Sequence, residues 1–263
     1  MQAMNFQSAS SVDDAVAKLG AADEGQLLAG GQTLIPTIKQ RLNAPSDLVS
    51  LSGAGMSGVS MDGGDLVIGA MTTHAEVAGN ASVRDHCPGL AKLAAGIGDP
   101  AVRHRGTIGG SVANNDPAAD YPAGLLALGA TIVTNTRSIP ADDYFTGLFE
   151  TALTDGEVIT AVRIPHCDAC AYAKFPNPAS RYAMVGVFVA NTGGGARVAV
   201  TGAGENGVFR HGGMESALAS GLSASAVEGV DVSSDGLMSD IHGSAAYRAS
   251  LVKTMTKRAI AAL

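Results

Sequence analysis

Paired glycines at two places constrain this chain more than any other feature. They stand in Ala29-Gly30-Gly31-Gln32-Thr33 and, farther along, in Thr107-Ile108-Gly109-Gly110-Ser111. Each pair follows an apolar run and is accompanied by a hydroxyl side chain. At such a place backbone N–H groups can approach a phosphate without a Cβ in the way. Two such loops in one chain imply a diphosphate ligand.

Length and composition bound what surrounds those loops. A chain of 263 residues has room for a large core and for two or three subdomains. With 46% hydrophobic residues, 16% charged residues and a mean hydropathy of +0.19, it reads as globular and apolar enough to leave room for a partner interface. The net charge of -7, the pI near 5.3 and only 17 Lys and Arg exclude nucleic acid, whose phosphates demand a basic stripe. Arg103-His104-Arg105 is too short to be one. No apolar run reaches the roughly 18 residues of a membrane span, and Met1-Gln2-Ala3-Met4-Asn5 lacks the basic region and apolar core of a signal peptide. No transmembrane segment and a cytoplasmic location are therefore expected.

The 3 cysteines, with Cys87 isolated, do not describe a disulfide framework, so reduced thiols are expected. Cys167-Asp168-Ala169-Cys170 beside His166 is the only metal-like spacing. A structural zinc or iron-sulfur site takes about four ligands, and no second pair exists, so no metal is expected.

Along the chain, the pattern predicts a helix over 11–19, a strand over 26–29, a helix over 33–41 and a strand over 47–51, a small α/β unit with the first glycine loop at a strand end. Residues 52–64, rich in Gly and Ser, read as a linker or wide turn. A strand over 65–69 follows, then Thr73 and Glu76 at capping-box spacing, and Leu90, Leu93 and Ala94 on an apolar helix face. Beyond the second glycine loop the sequence predicts a helix over 122–128 and strands over 131–134 and 157–164. Residues 165–178 hold prolines at 165, 176 and 178 and mark a boundary. Apolar runs at 185–190 and 198–200 around Gly193-Gly194-Gly195 signal an antiparallel hairpin. From about Ser244 a last helix carries Leu251, Val252, Met255, Ala259 and Ile260 on one face.

Gly202-Ala203-Gly204-Glu205-Asn206-Gly207 matches the dinucleotide pattern, but Val208-Phe209-Arg210-His211-Gly212-Gly213 does not continue as a helix and no βαβ unit follows. A strand-ending turn is the better reading. Without a GxxxxGK[ST] run, a P-loop ATPase is not supported.

Val102-Arg103-His104-Arg105-Gly106-Thr107-Ile108-Gly109-Gly110-Ser111, followed by Asp116-Pro117-Ala118-Ala119-Asp120 and taken with residues 29–33, resembles the FAD-binding medium subunit of the molybdenum hydroxylases, the group containing CO dehydrogenase and xanthine dehydrogenase. Lys174-Phe175-Pro176, Ser180-Arg181-Tyr182-Ala183 and His242-Gly243-Ser244-Ala245-Ala246-Tyr247-Arg248 resemble that subunit's C-terminal domain. The resemblance implies an α+β fold: a two-lobed FAD-binding domain of the vanillyl-alcohol-oxidase (PCMH) type, lobes 1–57 and 58–165, plus a smaller α+β domain over 166–263 with an antiparallel sheet and helices.

The same resemblance implies roles. Ala29, Gly30, Gly31, Gln32 and Thr33, with Thr107, Ile108, Gly109, Gly110 and Ser111, would cradle the diphosphate of FAD; the family often has Asn where Ser111 stands. Asp120 would hydrogen-bond the ribose or adenine end, an N-cap before Pro122 being the alternative. Ile97 and Ile159 would line the cofactor or serve as ordinary core. Lys174 would place positive charge near the flavin, or stand solvated on the surface, and Tyr182 would cover a flavin face or pack as a core tyrosine. His74, His86, His211 and His242 form no cluster in sequence and offer no persuasive base or ligand. The implied function is electron transfer. Molybdopterin on a large subunit and 2Fe-2S clusters on a small subunit deliver electrons to FAD here, and an external acceptor such as NAD or a quinone removes them, in a dimer of heterotrimers. A self-contained flavin oxidoreductase of the same fold is the alternative, and a scaffold subunit without flavin is disfavoured by the two intact glycine loops.

Overall fold

The structure, a computed structural model, describes residues 3–263. Met1 and Gln2, with which the reading of the N-terminus begins, lie outside the described residues. The first unit alternates β1 (Asn5–Ser8), α1 (Val12–Ala21), β2 (Gly25–Leu28), α2 (Leu34–Lys39) and β3 (Asp47–Ser50). Its strands form a parallel sheet in the order β1-β3-β2. Ser11 starts α1 by accepting the Asp14 N–H at 3.0 Å, and Asp13 and Asp14 in the first turn with Lys18 in the last complement the helix dipole. Every residue of β3, the central strand, is buried. β1, on the edge and largely exposed, went unread in the sequence because too few of its residues are apolar.

The second unit carries β4 (Val59–Asp62), β5 (Asp65–Gly69), α3 (His74–Gly79), α4 (Ala81–His86), α5 (Pro88–Ala95), α6 (Pro100–Arg103), α7 (Ile108–Asn114), α8 (Tyr121–Leu128), β6 (Thr131–Thr134), β7 (Ser138–Pro140), α9 (Ala141–Tyr144), β8 (Phe145–Gly147), β9 (Glu150–Thr151) and β10 (Ile159–Ile164). Five of these strands make an antiparallel sheet in the order β4-β5-β10-β6-β7. The stretch 52–64 is thus no plain linker: it includes β4, whose glycine-rich turn to β5 has both Gly63 and Gly64 at positive φ. Thr73 and Glu76 form the expected capping box, each side chain bonding the other's backbone N–H. α8 is buried on all sides, since it lies between this unit's core and the third sheet.

The third unit contains β11 (Cys167–Pro176), β12 (Ala183–Thr192), β13 (Gly195–Thr201), β14 (Phe209–Arg210), α10 (Gly212–Leu218) and α11 (Ala245–Ile260). Residues 165–178, read as a break, hold a long strand instead: Pro165 precedes it, Pro176 ends it and Pro178 follows, so no proline interrupts the ladder. The sheet is an antiparallel meander in the order β11-β12-β13-β14, with β12–β13 the expected hairpin. One face, with Val185, Val187, Val189, Val198 and Val200, packs on Leu251, Val252, Met255 and Ala259 of α11. Tyr172, Phe188, Ala190 and Ala199 on the other face complete the core of the second unit. Covered on both faces, β12 is apolar almost without alternation. No helix among the described residues is long and apolar enough to cross a membrane.

Candidate functional site

A cleft of about 760 Å³ runs between the first and second units, with residues 180–182 of the third at its mouth. The two glycine motifs meet in its wall. A Cβ on Gly30 would lie 2.0 Å from the Arg105 carbonyl oxygen, so the β2–α2 loop rests main chain to main chain on the turn before α7. Gly31 has φ +72°, a left-handed conformation that favours glycine. Thr107, far from sitting in a loop, is the N-cap of α7 and accepts the Gly110 N–H at 3.1 Å. Among the described residues, no protein group accepts from the N–H groups of Gly30, Gly31, Gln32, Thr33 or Leu34. The N–H groups of 108–111 are all engaged: Ile108 with Thr72, Gly109 with Ala70, and Gly110 and Ser111 with Thr107. Among the described residues the free backbone donors are therefore the run from Gly30 to Leu34 and, in the second motif, the Thr107 N–H alone.

The second feature is a buried polar network. Asp120, 5% exposed, accepts a short hydrogen bond from the Tyr172 hydroxyl and pairs with Lys174 Nζ at 3.0 Å. Lys174 also donates to the Gly96 carbonyl at 2.8 Å. Burial raises the Asp120 carboxyl above its ordinary range, and Lys174 and Tyr172 oppose that rise. Asp120 stands at the N-cap position of α8, but its side chain makes no capping bond there and turns to Tyr172 and Lys174 instead. Farther along the wall, Glu157 is held well below the usual carboxylate range by the paired hydrogen bonds of Arg137, at 2.8 and 2.9 Å.

His74 was passed over in the sequence and stands in the cleft wall. It follows the Thr73 cap, and its N–H donates to the Gly106 carbonyl at 2.9 Å, which brings α3 against the second glycine motif. Gly106 makes room for it, since a Cβ there would lie 2.5 Å from His74 Nε2. Burial, reinforced by the positive charge of Arg103, lowers the His74 pKa to about 4, so the ring is neutral at pH 7. Its Nδ1 is buried without a partner, as is the nearby Tyr121 hydroxyl. The bridge between Thr73 and Thr107 helps to join these segments, and no local sequence signal announces it.

Residues 2–167 match the family described as "FAD binding domain in molybdopterin dehydrogenase". The chain belongs to the FAD-binding medium subunits of the molybdenum hydroxylases. It is similar to the nicotine 6-hydroxylase medium subunit of Paenarthrobacter nicotinovorans, 33% identical with 99% of this chain and 97% of that one covered. Identity to the carbon monoxide dehydrogenase medium chain of Hydrogenophaga pseudoflava is 32%, covering 97% and 95%. Among solved structures, reconstituted CO dehydrogenase from Oligotropha carboxidovorans superposes with a TM-score of 0.92 at 32% identity, over 99% of this chain and 97% of that one. This medium subunit is thus an FAD-binding flavoprotein component of an oxidoreductase.

The residues of this medium subunit fit FAD. The cleft lies within the roughly 300–1,000 Å³ of small-molecule sites, a run of free backbone donors faces it, and the His74 Nδ1 is an orphaned polar atom on its wall. Of the residues singled out in the sequence, Ala29, Gly30, Gly31, Gln32, Thr33, Ile97, Thr107, Gly109, Gly110, Ser111, Asp120 and Ile159 line the cleft, as does Tyr182. Two stand elsewhere. Ile108 is fully buried in the second unit's core, because the first turn of α7 points it away from the cleft. Lys174 lines a smaller neighbouring cavity with Arg103 and Arg181 and reaches the cleft only through Asp120. Tyr182 is 47% exposed and is no core tyrosine. Gly109 contributes backbone to the wall but is glycine for another reason: a Cβ there would meet Ala70 Cβ at 2.6 Å. Gly202–Gly207 follows β13 as a turn and lies outside the cleft.

Proposed function

We propose that this cleft holds FAD and that the chain links 2Fe-2S clusters on a small partner subunit, fed by a molybdopterin-binding large subunit, to an external acceptor such as NAD or a quinone. The observation that carries the reading is the run of free N–H groups from Gly30 to Leu34, set against the Thr107–Ser111 wall by a main-chain contact. When bound, FAD accepts electrons singly and releases them in pairs.

The protein's part is to bind, orient and insulate. The Gly30–Leu34 donors neutralise diphosphate oxygens, and Ala29, Gly110 and Ser111 shape the space beside them. Asp120, fixed by Tyr172 and Lys174, offers a carboxylate oxygen to a ribose hydroxyl. Ile97 and Ile159 supply apolar walls that exclude water. His74, neutral, adds an uncharged, largely buried ring to those walls. Units 1–57 and 58–165 act as the two lobes, with 166–263 behind them. The relatives named for nicotine and for carbon monoxide share this chain's design, which supports assigning choice of substrate to the large subunit.

The test is made on the purified full chain. Stoichiometric, noncovalent flavin absorbance, dye reduction with NADH, and no hydroxylation of carbon monoxide, purines, N-heterocycles or aldehydes are expected. Hydroxylation by the single chain would replace this reading with the self-contained oxidoreductase. A folded chain that never takes up flavin would remove the cleft assignment.

A further inference from the structure

The 3 cysteines, dismissed in the sequence as one pair and one stray, converge. Cys87, Cys167 and Cys170 are all buried, and their sulfurs lie within 4.8 Å of one another, with Cys87 Sγ and Cys170 Sγ 3.4 Å apart. Cys87 sits between the end of α4 and the start of α5, while the other two belong to β11. Residues three apart on a regular strand point to opposite faces. Here the register of β11 against β12 shifts between Cys167 and Ala169, and this one-residue bulge returns Cys167 and Cys170 to a common side. Gly89 completes the approach: a Cβ there would lie 2.9 Å from the Cys170 backbone, so only glycine lets the first turn of α5 rest on β11 at this point.

We propose that Cys87, Cys167 and Cys170 form a three-thiolate site for a soft d10 ion. Metal–thiolate bonds of about 2.3 Å in a trigonal arrangement place the sulfurs about 4.0 Å apart, and the observed separations of 3.4 Å and up to 4.8 Å bracket that value. Thiolate ligands select Cu(I) and Zn(II) over harder ions. An iron-sulfur cluster is excluded because it takes about four cysteines. The adjacent imidazoles are not part of the set: His86 Nε2 lies 3.2 Å from the Pro165 carbonyl oxygen and His166 is turned to solvent beside Asp168. On binding, three S–H bonds break, three metal–sulfur bonds form and the protons pass to buffer, with no change of oxidation state.

The position gives the ion a consequence. It joins the α4–α5 turn to β11, and both elements run on to the smaller cavity beside the cleft: α5 ends beside Gly96, whose carbonyl holds Lys174, and β11 carries Tyr172 and Lys174 to Asp120. An ion there fixes the helix and strand that aim the Asp120 network.

The experiment uses the full-length flavin-loaded chain, reduced with a phosphine and titrated anaerobically with Zn(II) in one arm and Cu(I) in the other. Metal content after desalting, X-ray absorption at the metal edge and thermal midpoint are read. One arm or both should show stoichiometric retention, a sulfur-only shell of three at thiolate distance and a raised midpoint. Cys87→Ala, Cys167→Ala and Cys170→Ala should each lose retention while keeping flavin. Absence of stoichiometric retention in wild type, a shell dominated by nitrogen or oxygen, or undiminished retention in Cys170→Ala overturns the proposal. So does a Cys87–Cys170 disulfide found by mass spectrometry that forms in place of ion binding. The wild-type absorption spectrum decides even where an alanine variant fails to fold.

Discussion

Replacing Lys174 with Met tests the polar network where it is most exposed to refutation. The substitution keeps the apolar stem and removes the ammonium that pairs with Asp120 at 3.0 Å, in a pair whose side chains are only 10% and 5% exposed. Removing one member of such a pair costs about 3–5 kcal/mol, because the other is left charged and buried. For a chain of this size about 1 kcal/mol corresponds to about 2–4 °C, so the thermal midpoint at pH 8 should fall by no less than about 6 °C. The loss also acquires a pH dependence. The Asp120 carboxyl is already raised by burial, and without Lys174 it rises further. A carboxyl raised in the folded state binds protons more tightly there than in the unfolded chain. Its contribution is therefore fully present below the unfolded pKa of about 3.9 and is lost as pH climbs through the folded value. Scanning calorimetry from pH 4.5 to 8 should show Lys174→Met approaching wild type at the acid end and diverging above it, with Asp120→Asn in the double variant removing the divergence. Equal midpoints for Lys174→Met and wild type across that range would refute the network's role.

The two adjacent glycines of the second motif should separate by phenotype. Gly109→Ala drives a methyl into Ala70 and should lower the yield of folded protein, whereas Gly110→Ala, whose Cβ lies 2.9 Å from Thr107 Oγ1 and 3.4 Å from Ala29 Cβ, should fold and retain less flavin by absorbance. His74, depressed to about 4 by burial, should make wild type lose about 3 kcal/mol as pH falls from 6.5 toward 4, since the unfolded chain takes up the proton first; midpoints of His74→Asn over that window should be flatter, and identical slopes would sink the assignment. Thr73→Ala removes the Thr73 hydroxyl half of the capping box, leaves the bond from the residue 73 N–H to Glu76, and should cost about 1 kcal/mol in urea unfolding with no change in m-value.

Much of the fold was legible because local rules and tertiary demands agree. Ser11 and Thr73 announce helices that they do cap, and the Gly193-Gly194-Gly195 turn closes the hairpin it suggests. The glycine motifs pointed to the right wall, yet the reason for each glycine was not local: Gly30 answers to Arg105, Gly106 to His74 and Gly109 to Ala70, all contacts that close only in the folded chain. Ile108 was drawn into the site by its neighbours in sequence, whereas the helical turn sends it to the core. β11 was hidden because its flanking prolines looked like interruption instead of punctuation. The meeting of Cys87 with Cys167 and Cys170 depends on a bulge and on a helix docking against a strand, neither of which leaves a periodic trace.

The contact between Gly30 and the Arg105–Gly106 peptide has a consequence for how this molecule can diverge. No side chain stands between the two lobes at that point, so their spacing is set by the thickness of two backbones. Such a spacer cannot be lengthened or shortened by exchanging one amino acid for another. Either lobe is free to drift in its surface and even in its core, while the width of the gap beside the loops stays constant, like a gauge block clamped between two plates.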